Sequence, residues 1–181
     1  MERHMDSVPA RDSVSHILEQ WSEVRDDIDL LPIGVLARLL RLSGGLVQQA
    51  RGWLDAEGLT WESFSLIVTL RRQGPPFAMR PAAILAESLL TSGALTARID
   101  RVEGLGLVRR RPDPGDRRGV IVELTPEGLA RADAAISLHA GELRALLGGI
   151  EPAELERLDV LLSQALSAVE AARAAANGAA T

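Results

Sequence analysis

The residues most suited to chemistry in this chain lie between Arg80 and Leu124. Thr91, Ser92, Gly93 and Thr96 occupy the start of a predicted helix, with Arg98 and Arg101 further along it. Small residues at a helix start let it enter a DNA major groove, where base edges carry a distinct donor and acceptor code. Backbone N–H groups there, with the Thr91 and Ser92 hydroxyls, suit phosphate oxygens. The same hydroxyls also suit plain helix capping. Downstream, Asp116, Arg117 and Arg118 end a segment from Pro112 crowded with turn residues. An arginine on a hairpin tip is drawn to the negative potential of a minor groove. The plainer alternative for Asp116 to Arg118 is a surface ion pair shaping the turn, worth about 0–1 kcal/mol.

Covalent and metal chemistry find no support. The 181 residues contain no Cys, so thiolate zinc sites, disulfides and thiol switches are excluded. His4, His16 and His139 do not fall at metal-ligand spacing. No Ser-His-Asp grouping, phosphate loop or paired-carboxylate motif stands out, so no catalytic residue, metal or cofactor is expected.

The elements that position the Arg80–Leu124 residues follow from periodicity. Apolar residues at helical spacing predict a helix over Asp12–Leu31, a long one over Ile33–Leu54 weakened at Gly44–Gly45, and a third over Trp61–Arg72 capped by Thr60. Pro81–Glu87 reads as a short helix after an edge strand at Phe77–Met79. Following a turn at Ser88–Thr91, Ser92–Leu105 reads as a helix with an inner stripe of Leu95, Ile99 and Val102. The period then becomes two. Leu107–Arg111 and Gly119–Leu124 predict a hairpin whose tip is Pro112–Arg118. Thr125 and Pro126 start a helix running to Leu147, and Gly148–Gly149 separates it from a last helix, Pro152–Val169. Short helix, turn, second helix and hairpin in that order make a winged helix-turn-helix.

Charge agrees with this reading. The chain has 20 basic residues, all Arg, against 25 acids, net -5. Residues 80–118 hold eight Arg (80, 98, 101, 109, 110, 111, 117, 118) and five acids, so that segment is +3 and the remainder -8. An acidic body with a basic head favours one docking orientation on DNA. No apolar run approaches the roughly 18–20 residues of a membrane span, and Met1–Arg11 lacks a signal-peptide core. A cytoplasmic protein without a membrane partner is expected.

Leu90–Arg111 (LTSGALTARIDRVEGLGLVRRR) and Asp113–Gly128 (DPGDRRGVIVELTPEG) together resemble the MarR family of dimeric winged-helix transcription regulators. The resemblance implies a mainly α fold with a small β-hairpin wing. It implies that Ser92, Gly93 and Thr96 read the major groove. Asp116 would position Arg118 for the minor groove, Arg117 would contact phosphate, and Thr91, Arg98 and Arg101 would complete the DNA face. Ala97 departs from relatives that carry Asn or Arg.

The resemblance also implies a homodimer built on the first and last helices. Its two recognition helices would lie about 34 Å apart on a pseudo-palindromic operator. The chain then divides into a disordered stretch (1–11), an extra N-terminal helix (12–31), a dimerisation helix (32–54), a DNA-binding lobe (55–125), C-terminal dimerisation helices (126–173) and a flexible tail (174–181). Relatives release DNA on binding small aromatic or anionic effectors. Trp21, Arg98 and Arg110 match effector positions of a urate-responsive branch, but Ser65 stands where that branch has Asp. Trp53 and Phe64 are further pocket candidates, each also suited to the core. Two alternatives remain at this stage: a DNA-binding regulator without small-ligand control, and a helical protein-interaction module.

Overall fold

A computed structural model describes residues 11–88 and 91–178. The order is α1 (Ser13–Val24), α2 (Leu30–Ala56), α3 (Trp61–Arg72), β1 (Ala78–Met79), α4 (Pro81–Ala86), α5 (Ser92–Gly104), β2 (Val108–Asp113), β3 (Asp116–Leu124), α6 (Pro126–Leu146) and α7 (Pro152–Gly178). This is a mainly α fold with a β wing, as expected. The disorder expected for Met1–Arg11 falls outside the described residues, Arg11 excepted, as do positions 89 and 90 of the predicted turn.

Asp12 caps α1. Its Oδ1 accepts the N–H groups of Val14 at 2.9 Å and Ser15 at 2.8 Å, an arrangement typically worth about 1 kcal/mol. Arg38 of α2 donates to the other oxygen at 2.7 Å. That guanidinium, with the Ser15 and Val14 bonds, holds the carboxyl far below its ordinary range. Helix α1 ends seven residues before the predicted Leu31. The acidic run after Arg25 is not helical, and the Asp29 side chain instead caps α2 by accepting the Leu31 N–H at 3.0 Å. Pro32 therefore sits in the first turn of α2, where a missing N–H costs nothing.

Helix α2 runs through Gly44–Gly45 without a break. It also corrects an expectation. By length and composition α2 is apolar enough to cross a membrane, with an 18-residue stretch of mean hydropathy 1.6. Only Arg38 and Arg41 interrupt its first half, and α1 engages both, Arg41 donating to Ser13 Oγ at 2.6 Å. Leu31, Val35, Leu36, Leu40 and Leu42 remain exposed on α2.

The chain divides into two compact units, residues 1–135 and 136–181. The core of the first gathers Leu54 from α2, Phe64, Ile67 and Leu70 from α3, Ile84 from α4, and Leu95, Ile99 and Val102 from α5. Val108 and Val122 close it from the sheet. The predicted inner stripe of α5 is thus the buried one. The second unit holds the rest of α6 and all of α7. Helix α7 continues to Gly178, past the predicted end at Val169, because the Ala-rich stretch has the highest intrinsic helix propensity. It exposes Leu158, Val160, Leu161, Leu162, Leu166 and Val169.

The sheet is antiparallel in the order β1-β3-β2. Val108 faces Leu124 and the register holds to Pro112 opposite Val120, then shifts so that Asp113 faces Asp116. The tip shrinks from the predicted seven residues to Pro114 and Gly115, and Arg117 and Arg118 lie on β3. Glu123 fastens the base of the wing. It accepts Arg109 at 2.8 Å and also pairs with Arg111. Arg109 chiefly, then Arg111, hold its carboxyl below the ordinary value against the opposing effect of burial.

Helix α5 stops at a left-handed Gly106, φ 73°, a conformation that costs glycine little. Leu107 then receives the start of α6. Thr125 N–H donates to the Leu107 carbonyl at 3.0 Å, Thr125 Oγ1 donates to the Gly106 carbonyl at 2.7 Å, and Gly128 N–H donates to Thr125 Oγ1 at 2.9 Å. A Cβ on residue 128 would stand 1.8 Å from the Leu107 carbonyl oxygen.

Gly128→Ala is accordingly expected to destabilise the fold by at least ~2 kcal/mol, because backbone must move. Urea unfolding measures it, and a loss under about 0.5 kcal/mol contradicts the packing. Glu123 gives a pH signature. Its folded pKa lies below the unfolded value of about 4.3, so its contribution is complete above that pH and vanishes as pH falls through the folded value. Thermal melts of Glu123→Gln should lie below wild type at pH 7, and the gap should close on acidification. A gap that persists at pH 3 argues against the clamp.

Candidate nucleic-acid interface

Helix α5 presents the predicted reading face. Thr91 caps it, its Oγ1 accepting the Ala94 N–H at 3.3 Å. Ser92, Gly93, Thr96, Ala97 and Arg101 are exposed on one side while Leu95, Ile99 and Val102 face the core. The Thr96 hydroxyl donates to the Ser92 carbonyl at 3.1 Å. This keeps its proton on the backbone and leaves its oxygen free to accept.

The wing carries the second element. Asp116 Oδ1 accepts the backbone N–H of Arg118 at 2.9 Å. The acid therefore orders the Arg118 main chain rather than its guanidinium. Arg118 is exposed and, among the described residues, makes no ion pair. Arg117 lies on β3, and its side chain is outside the description.

Structure redistributes the basic charge counted from sequence. Arg110 donates to Asp100 at 2.5 Å and also pairs with Glu103, both on α5, and its backbone N–H donates to Glu103 at 2.8 Å. Arg109 and Arg111 are held by Glu123, and Arg80 by Asp113. Among the described residues of this segment, Arg98, Arg101 and Arg118 are without an ion pair. Four of the eight arginines thus brace the wing. Sequence reading counted these charges but missed the pairing, which joins residues up to 33 positions apart.

A cavity of about 260 Å³ lies among α3, the end of α4, and α5. Ser65, Leu66 and Thr69 line one side, Ile84, Glu87 and Ser88 another, and Leu95 and Arg98 the third. Glu87 is already paired with Arg72. Arg98 is half-buried and its charge helps lower the Glu62 carboxyl, which is held down chiefly by its own backbone N–H. The structure thus brings Ser65 and Arg98 together. It does not bring the other pocket candidates to them. Phe64 is buried and Trp53 packs on the core, Trp21 is 43% exposed on α1, and Arg110 is committed to Asp100 and Glu103. Large aromatic area explains the placement of Phe64 and Trp53, and the double pairing that of Arg110.

The family model for the MarR family matches residues 59–120, from just before α3 to the wing. The chain is 34% identical over 151 residues to the HTH-type transcriptional regulator PecS of Dickeya dadantii, covering 83% of this chain and 91% of that protein. It is 36% identical over 101 residues to the HTH-type transcriptional repressor NicR of Pseudomonas putida, covering 49% of this chain and 62% of that one. Among solved structures, a mutant MarR from E. coli complexed with operator DNA superposes with a TM-score of 0.64 at 26% identity, over 76% of this chain and 95% of that one. AbsC, a MarR family regulator from Streptomyces coelicolor, shares the fold at a TM-score of 0.70 and 24% identity, over 81% of this chain and 98% of that one. With a winged helix-turn-helix and this degree of likeness along most of its length, the chain belongs to the MarR family and is a sequence-specific DNA-binding transcription regulator, not an enzyme.

Proposed function

We propose that this protein is a homodimeric cytoplasmic repressor that holds a pseudo-palindromic operator and releases it when a small anionic ligand, aromatic in part, enters the α3–α4–α5 cavity. The observation that carries the DNA half is the pairing of two free faces. The start of α5 exposes Ser92, Gly93 and Thr96, and the wing exposes Arg118, while neighbouring arginines are tied up by acids. Thr91 and Arg101 flank the helix face, and Arg117 follows Asp116 toward the wing. Relatives support the sign of regulation, since NicR is named a repressor. They also support operator binding, since the E. coli MarR structure contains operator DNA.

The dimer reading rests on the exposed apolar rows of α2 and α7. Leu36 and Leu40 on the first, and Leu161 and Leu166 on the second, are each more than half exposed. Such rows in a single chain call for a partner, and a second copy placing two α5 helices one DNA turn apart supplies it. Residues 55–125 would then be the DNA lobe, with 32–54 and 126–173 serving the dimer.

The ligand reading rests on Arg98. This guanidinium lacks an ion-pair partner among the described residues and lines a cavity whose rim also carries the Ser65 and Thr69 hydroxyls, the Ser88 hydroxyl being donated to the Leu85 carbonyl and Glu87 being paired with Arg72. An anion there would pull on α5 from behind its reading face. Ser65, in place of an acid, leaves the Arg98 charge open to a ligand.

Two measurements test these halves. In gel shifts on the DNA upstream of its own gene, Arg118→Ala should weaken binding by about 1–3 kcal/mol, and wild-type affinity should fall steeply with salt. Unchanged binding by the variant removes Arg118 from the interface. A panel of aromatic carboxylates and purine anions should contain one that raises thermal stability and weakens the wild-type complex. Arg98→Ala should lose that response. A panel with no thermal shift favours a regulator without small-ligand control.

A further inference from the structure

Helix α4, the first helix of the helix-turn-helix, has Arg80 at its N-cap, and Arg80 makes no side-chain cap bond there. Its guanidinium instead reaches the wing. Nε donates to Asp113 Oδ2, between residues 33 apart in sequence. The Asp113 side chain is only 5% exposed, whereas that of Arg80 is 61% exposed. Both oxygens of the buried carboxylate are engaged, since Oδ1 accepts the Gly115 N–H at 2.8 Å within the two-residue tip. Arg80, followed by the Gly115 N–H, holds that carboxyl below its ordinary range.

The strand ladder alone does not set the tip. Its register shifts between Pro112 and Asp113, just before the turn. The other ties act lower down, with Glu123 on Arg109 and Arg111 at the base and Arg110 on α5. Arg80 also follows β1 directly, and β1 pairs with β3 at Ala78–Glu123 and Met79–Val122. One residue thus joins the sheet, the first helix of the motif and the wing tip. Space at the tip is close, since a Cβ on residue 115 would lie 3.3 Å from Arg80 Nη2.

We infer that the Arg80–Asp113 pair is a latch that sets the position of the wing tip, and hence of Arg118, relative to the helix-turn-helix. Arg80 is then a positioning residue for DNA binding and not a phosphate contact, although it is a basic residue of the DNA-binding segment. Its charge is spent on Asp113, and a buried carboxylate deprived of its cation would reorganise the turn.

The test uses Arg80→Gln and Asp113→Asn in the full-length protein, with the duplex from upstream of its own gene as probe. In the free protein, amide exchange at Gly115–Gly119 should accelerate in Arg80→Gln while core amides of α3 stay protected. Each single variant should bind the duplex about tenfold more weakly with an unchanged salt slope, and the double variant should be no worse than either. The reversed pair, Arg80→Asp with Asp113→Arg, should recover part of the loss. A salt slope reduced by about one in Arg80→Gln, with normal binding by Asp113→Asn, makes Arg80 a phosphate contact and overturns the latch. Faster exchange without loss of affinity overturns its role in DNA binding, and unchanged exchange overturns it altogether. Should Asp113→Asn not fold, exchange and salt slope in Arg80→Gln decide alone. If wild type ignores the duplex, the exchange arm still judges the latch, and only the choice of DNA fails.

Discussion

Everything at the DNA-facing end depends on one close backbone approach, the seat of the α6 start on the end of α5. Leu107 offers its carbonyl to the Thr125 N–H, and Gly128 leaves the room that a Cβ would fill. Three polypeptide directions are settled at that spot: where α5 ends, where the hairpin leaves, and where α6 begins. A hydrogen-bonded contact of this kind is geometrically strict in a way that apolar packing is not. It requires a glycine at one position and a hydroxyl at another. The end of α5, the base of the hairpin and the start of α6 therefore share one hydrogen-bonded seat.

On this frame the arginines divide into two kinds. Within residues 80–118, Arg80, Arg109, Arg110 and Arg111 pair with acids around the wing, whereas Arg98, Arg101 and Arg118 make no ion pair among the described residues. A guanidinium paired at close range to a carboxylate contributes little to the outward field, so a count of basic residues overstates the charge that DNA meets. The useful quantity is the unpaired charge and its location. Arg118 on the wing and Arg101 on α5 are exposed, while Arg98 points its charge to a cavity behind the same helix. Helix α5 thus exposes Ser92, Gly93 and Thr96 to solvent and lines a cavity with Leu95 and Arg98.

The extra N-terminal helix contributes through charge as well as packing. Asp12 and Ser13 engage the two arginines, Arg38 and Arg41, that interrupt the apolar first half of α2. That explains how a helix apolar enough to span a membrane is tied to its neighbour by polar contacts. Apolar residues remain exposed on α2 and, separately, on α7.

Much of this was legible in the sequence. Apolar residues at spacings of three and four located the longer helices, Pro81 marked the start of the short α4, and the inner stripe of α5 was named residue by residue, because core-facing periodicity is a local property of the chain. Turn residues located the wing, and the motif around Asp116–Arg118 pointed to the family. Ends were less legible. The acidic run after Arg25 ended α1 early, and the Ala-rich stretch carried α7 further than its apolar stripe. The hairpin tip was placed five residues too wide because backbone pairing drew Pro112–Asp113 into β2 and Asp116–Arg118 into β3. What tertiary structure alone decided was which charges meet. Arg80 with Asp113, Arg110 with Asp100 and Glu103, and Glu123 with two arginines are encounters between different elements of the fold. No local pattern encodes them, because Coulomb energy depends on distances that only the completed fold sets.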